Sequence, residues 1–151
     1  MIFKLTILGM FAYQYMNVPY RWAGNSFAGM DCSGLANKVL KDVGILYQYE
    51  DYSAQGLQEE LKTRGYRSGL GPDSLLFFGH SLYDGITHVA IAIDEHWMIH
   101  ASGGDRTTLS LETAIEQDAR VKISPIASRK DLLSSIKIDY SDYIDKYGFN
   151  Q

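Results

Sequence analysis

Hydrophobic periodicity changes character once along this chain, near Pro72. Before that point the apolar residues recur at helical spacing. In "CSGLANKVLKDVG", Leu35, Val39, Leu40 and Val43 fall on one face and Gly44 ends the pattern. "SAQGLQEELKTRG" reads as a further helix, with Ser53 as N-cap and Gly65 as its stop. "MIFKLTILGMFAYQYM" reads as an amphipathic first helix. After Pro72 come short β-rich runs, "SLLFFG", "THVAIAID", "WMIHAS" and "RVKISPIA", the last an edge strand or strand end because of Pro125. "TLSLETAIEQ" and "SRKDLLSSI" read as short helices, and "YSDYIDKYGFNQ" as a helical turn or loose end. Helices first and strands afterwards predict a segregated α+β domain with a mainly antiparallel sheet, not an alternating parallel one.

A chain of 151 residues fits one such domain. Its expected core covers residues 10–127, with an extension over 128–151 packed on the sheet. Eighteen acidic residues against fourteen basic ones, with no Lys/Arg stripe, argue against nucleic acid as the main partner. One cysteine cannot close an internal disulfide, so bridges neither hold this fold nor report its compartment. The N-terminal apolar stretch has a single basic flank, Lys4, and no small-x-small cleavage pattern. It is also too short to span a membrane. Neither an export signal nor a membrane span is therefore expected.

That cysteine, Cys32, sits in "AGMDCSGL" at the expected start of a helix. Unpaired N–H groups and the helix dipole at such a position favour a thiolate, and the same groups can face a developing oxyanion. An imidazole is the natural partner for a reactive thiol. Alternation in "THVAIAID" puts Val89, Ile91 and Ile93 on one strand face and His88, Ala90 and Ala92 on the other. A hairpin turning at Asp94-Glu95-His96 would bring His88 near His100, as base and orienter. His80 and His96 read as loop histidines. Three readings of Cys32 stand on pattern alone: a nucleophile, a small core residue, or a metal ligand with His88 and His100. No CxxC or HExxH spacing supports the last.

"PYRWAGNSFAGMDCSGL", then "HVAIAID", then "MIHAS", taken in order from Pro19 to Ser102, resembles the NlpC-type cell-wall cysteine peptidases, a papain-like group. The resemblance implies a papain-like α+β core with Cys32 as nucleophile, His88 as general base and His100 as its orienter. Tyr20 would line the site near the thiol or the oxyanion. Asp31 and Ser33 match positions that help hold the free amino end of a stem peptide in relatives, although helix capping alone would explain them. Trp22 reads as packing under its loop. The implied reaction is hydrolysis of a γ-D-glutamyl to diamino-acid bond in peptidoglycan, through an acyl-enzyme and without metal or cofactor.

Several positions depart from the family pattern. Ala23-Gly24 replaces Gly-Gly, a Ser follows Asp73 in "GPDSLLFF", and Ala90 stands where the family has Gly, on the side expected to face the site. No wall-anchoring SH3-like or LysM repeat is visible. A phage or prophage tail component, a secreted effector, or release by lysis would each bring such a domain to the wall, with phage tail or secretion-machine proteins as partners. Two other functions fit the same scaffold: an amidase or acyltransferase on another amide or lipid, and a non-catalytic tail assembly module.

Overall fold

A computed structural model describes residues 5–139 of the chain. Helix α1 (Ile7–Tyr13) is followed by a two-residue hairpin, β1 (Asn25–Ser26) and β2 (Gly29–Met30). Helices α2 (Cys32–Asp42) and α3 (Ala54–Thr63) come next. Strands β3 (Ser74–Gly79), β4 (Ile86–Ala92) and β5 (Trp97–Ser102) precede helix α4 (Leu111–Glu116). Strand β6 (Arg120–Pro125), a 3-10 turn (Ile126–Ser128) and β7 (Leu132–Lys137) complete the described chain. The long strands form one antiparallel sheet in the order β6-β5-β4-β3-β7. The expected α+β architecture is therefore present. Among the described residues no helix is long and apolar enough to cross a membrane.

The continuous apolar run of β3 makes it a strand buried on both faces. Leu75 and Phe77 join Val89, Ile91, Ile93 and Ile99 in the main core with the helices. Leu76 and Phe78 point the other way, into a smaller cluster with Ala90, Ala92, Met98 and Ile126. Helix ends follow the chemistry of the sequence. Ser53 accepts from the N–H of Gly56 at 3.0 Å, and Gly44 and Gly65 leave their helices at φ of 85° and 91°. Asp73 accepts from Thr6 Oγ1 and the Leu8 N–H at 2.6 and 3.0 Å, tying the start of α1 to the entry of the sheet.

One segment departs from expectation. "SRKDLLSSI" is not a helix, and the region after Ser128 does not simply lie over the sheet. Leu132–Lys137 pairs with β3 as an edge strand, bringing Ile136 opposite Leu75. The reading of "YSDYIDKYGFNQ" falls on residues 140–151, outside the described residues.

The turn at 20–24 is docked on the first turn of α2 at very short range. A Cβ on Gly34 would lie 2.1 Å from the carbonyl oxygen of Gly24, so any side chain there would force the two segments apart. Asp31, the N-cap of α2, accepts from Gly34 N at 2.7 Å through one oxygen and from Ala23 N at 2.9 Å through the other. Holding the turn in this position puts Ala23 at φ 62°, a left-handed conformation that glycine adopts without cost. Ala23→Gly should therefore stabilise the protein by roughly 0.5–1 kcal/mol, the left-handed penalty less the added entropy of the unfolded chain. Urea denaturation would read this as a higher midpoint at constant slope; a lower midpoint would contradict the account.

Candidate active site

Cys32 is the first residue of α2 and is half-buried. Its Sγ lies 3.9 Å from the carbonyl oxygen of Thr87, the residue before His88 on β4. Cys32, Thr87 and His88 line one cavity of about 520 Å³, together with Tyr20, Trp22 and the loop after β5.

The β4–β5 hairpin turns where the sequence suggested. Asp94 accepts from the N–H groups of His96 and Trp97 at 2.7 and 2.9 Å, closing the turn. The register pairs Ile91 with Ile99, which makes His88 and His100 diagonal neighbours on one face. Continuing it sets Ala90 opposite His100, and Ala90 is packed in the smaller cluster instead of narrowing the cavity. His88 Nε2 and His100 Nδ1 are 2.8 Å apart, leaving Nδ1 as the second nitrogen of His88. His100 Nε2 reaches Ser124 Oγ at 2.9 Å. The ring of Phe78 packs against His88 at 5.6 Å between centroids. His80 and His96 are exposed and stand apart from this group. Among the described residues no three His, Cys, Asp or Glu side chains gather in a way that could hold a metal ion.

Burial dominates the electrostatics. It pushes the Cys32 thiol up to about 11, outweighing the backbone N–H groups of Val89 and Ser33 and the Arg129 guanidinium that pull it down. The helix start thus acts in the direction expected from the sequence but does not produce a resting thiolate. Burial also holds His88 well below its ordinary 6.5, aided by His100 and Arg129 and opposed by Asp131. His100 falls to about 4 through burial and the nearby Arg129 and Lys122 cations. Burial thus favours the neutral forms of the thiol and of both imidazoles.

Tyr20 is buried with its ring against Gly104, where a Cβ would come within 2.2 Å of the ring. Burial, followed by the nearness of Cys32, Asp31 and Asp105, keeps its phenol protonated well above the ordinary range. Asp31 and Ser33 do not line the Cys32 cavity. Ser33 Oγ donates to Asp31 at 3.2 Å, and both residues border a neighbouring hollow with Gly24, Asp51 and Tyr52.

Trp22 is not packed under its loop: it is 42% exposed on the cavity rim, with the Arg106 guanidinium carbon 5.8 Å from its ring centroid. Asp105 holds that rim loop by accepting from the Thr107 N–H and hydroxyl at 2.7 and 2.6 Å. Arg129 reaches the cavity from beyond β6, 5.0 Å over the Phe78 ring and doubly bonded to Asp131 at 2.9 and 2.7 Å. Sequence reasoning missed Arg106 and Arg129. The Asp105-x-Thr107 turn directly after the His100 strand was the available signal for the first.

Comparison with known proteins follows the same residues. The profile of the NlpC/P60 family matches residues 17–124. A gamma-D-glutamyl-L-lysine dipeptidyl-peptidase of Bacillus cereus is 32% identical over 94 residues, covering 62% of this chain and 27% of its own length. A probable endopeptidase p60 of Listeria monocytogenes is 32% identical over 90 residues, 60% of this chain and 17% of that protein. The chain thus spans about a quarter or less of these two relatives. In fold it resembles the NlpC/p60 domain of the peptidoglycan hydrolase SagA, with a TM-score of 0.59 at 22% identity, covering 87% of this chain and 97% of that domain.

Two buried neutral histidines have a consequence for stability. In the unfolded chain each titrates near 6.5, whereas in the fold both lie lower. Their contribution is complete above pH 6.5 and is lost as pH falls toward about 4 for His100, because the unfolded chain binds protons first. The melting temperature should decline across that window. A His88→Gln, His100→Asn double variant should show a flatter profile between pH 6.5 and 4.5, and an unchanged slope would refute the assignment.

Proposed function

The chain belongs to the NlpC/P60 family, and from that premise we propose that it is a cysteine peptidase of peptidoglycan stem peptides, cleaving a γ-D-glutamyl to diamino-acid bond. The observation that carries this reading is one cavity lined by both Cys32, at a helix start, and His88, which is hydrogen-bonded to His100 behind it.

Because the resting thiol is neutral, attack and proton transfer go together. As Sγ bonds to the scissile carbonyl carbon, His88 takes the thiol proton on Nδ1, and His100 holds the imidazolium through Nε2. Negative charge forming on the carbonyl oxygen is met by N–H groups at the start of α2, with the protonated Tyr20 phenol beside it. Collapse expels the amine, which receives the proton from His88. Water, deprotonated by the same imidazole, then releases the thioester as an acid and restores Cys32.

The cavity also suits the substrate. A γ-linked glutamyl residue keeps its α-carboxylate free, and Arg106 and Arg129 bring two guanidinium groups to the same cavity as the thiol. Arg129 is already paired with Asp131, whereas Arg106 is held only by Trp22 among the described residues. Arg106 is therefore our carboxylate reader. The separate hollow bordered by Asp31, Ser33 and Asp51, the residues flanking Cys32 in sequence among them, offers carboxylates to a free amino end. The delivery routes expected from the sequence, by phage particle or secretion machine, find no support in these relatives.

Purified peptidoglycan digested with the wild-type protein should yield fragments cut between γ-glutamyl and diamino acid, identified by mass spectrometry. Cys32→Ala should lower this activity by about three orders of magnitude or more while keeping the wild-type melting temperature. Undiminished hydrolysis in that variant would end the reading. A covalent lipid adduct on Cys32 without muropeptide cleavage would instead favour an acyltransferase.

Arg106→Ala should raise KM about tenfold with kcat largely retained, the size expected for loss of one charge-assisted hydrogen bond. On a substrate whose α-carboxylate is converted to a carboxamide, variant and wild type should become alike. An equal tenfold gap on both substrates would remove Arg106 from carboxylate recognition.

A further inference from the structure

The histidine pair does not end at His100. Strand β6 runs beside β5 with Ser124 opposite Met98 and Lys122 opposite His100, so Ser124 is a diagonal neighbour of His100 on the same face. Its Oγ is 2.9 Å from His100 Nε2, and among the described residues it makes no other side-chain hydrogen bond. Lys122 turns its ammonium away, onto the Asp118 carbonyl at 2.8 Å.

A chain of two neutral imidazoles and one hydroxyl has two proton arrangements. In one, His88 Nε2–H donates to His100 Nδ1, and His100 Nε2–H donates to Ser124. Only this arrangement leaves a lone pair on His88 Nδ1. In the other, Ser124 donates to His100, His100 Nδ1–H donates to His88, and His88 carries its proton on Nδ1, where it cannot act as a base. The choice at the far end of the chain therefore sets the state of the nitrogen that serves the thiol.

We infer that Ser124 is a positioning residue that accepts the His100 Nε2–H and thereby fixes both histidines in the tautomer that leaves His88 Nδ1 free to act as base. A neutral acceptor suits this place. Lys122 and Arg129 already disfavour a second proton on His100, so the direction of the hydrogen bonds, not a charge, is what the outer residue controls. The kinetic side of this inference rests on the peptidase reading; the tautomers themselves do not.

The test uses the full chain labelled with 15N-histidine. Long-range 1H–15N correlations should show His88 and His100 of the wild type both protonated on Nε2. Ser124→Ala should bring an Nδ1-protonated population of His100 and lower kcat on muropeptides about five- to tenfold at unchanged KM. Ser124→Thr, which keeps the hydroxyl, should restore both. Wild-type His100 protonated on Nδ1 would overturn the inference, as would Ser124→Ala with wild-type tautomers, whatever its kcat. A wild-type protein that cleaves no muropeptide overturns the peptidase reading, while the tautomer pattern still decides the role of Ser124.

Discussion

The docking of the 20–24 turn on the first turn of α2 is the constraint from which the site follows. Asp31 caps the helix with one carboxylate oxygen and holds the Ala23 amide with the other. Gly34 lets the helix meet the Gly24 carbonyl at a distance that no side chain would permit, and Gly24 in turn lies as tightly against the Gly29 carbonyl of β2. This contact sets Cys32 at a helix end that cannot slide or fray without opening the turn. It also fixes Tyr20 and Trp22 as walls of the cavity, since both belong to the docked segment. The pattern Asp-Cys-Ser-Gly thus has a mechanical meaning apart from its chemistry: cap, thiol, cap partner and a gap for the neighbouring backbone.

The second half of the site is built by sheet register, which is rigid for a different reason. A one-residue slip of β4 against β5 would move Val89 and Ile91 out of the main core and His88 into it, away from the face that His100 keeps. The apolar face of the hairpin consequently locks the distance between His88 and His100. The same burial that locks them also keeps them neutral and lifts the thiol. In the proposed mechanism charge separation therefore waits for a carbonyl to take up the sulfur, and the geometry of the hairpin stands in for a preformed ion pair.

Much of this was legible in the sequence because it depends on local periodicity. Alternation in "THVAIAID" located the face of His88, the Asp94 turn located its partner, and "SLLFFG" was legible as a strand. The errors have physical causes as well. Leu132, Leu133 and Ile136 satisfy helical spacing as readily as strand spacing, and the open edge of β3 decided between them. A local pattern carries no knowledge of an unpaired edge elsewhere in the chain. Arg106 and Arg129 were missed for a related reason: each meets the cavity through a partner distant in sequence, Trp22 for one and Phe78 for the other. Trp22 was misplaced because its exposure depends on where the docked turn meets the loop after β5, a tertiary fact.

His100, the partner of the proposed base His88, joins sequence pattern to packing. Histidine at position 100 was legible as an orienter, yet a neutral imidazole orients only if its own proton is placed. An aspartate in that role accepts a hydrogen bond whatever lies behind it. A histidine accepts or donates according to its outer neighbour, so its use extends the site by one more strand, to Ser124 on β6. The sheet edge at β6 is thereby tied to the chemistry at Cys32, through side chains on three successive strands facing the same way. Pro125, which ends that strand, stands immediately after the serine, so the pairing of β6 with β5 persists as far as the chain of hydrogen bonds requires.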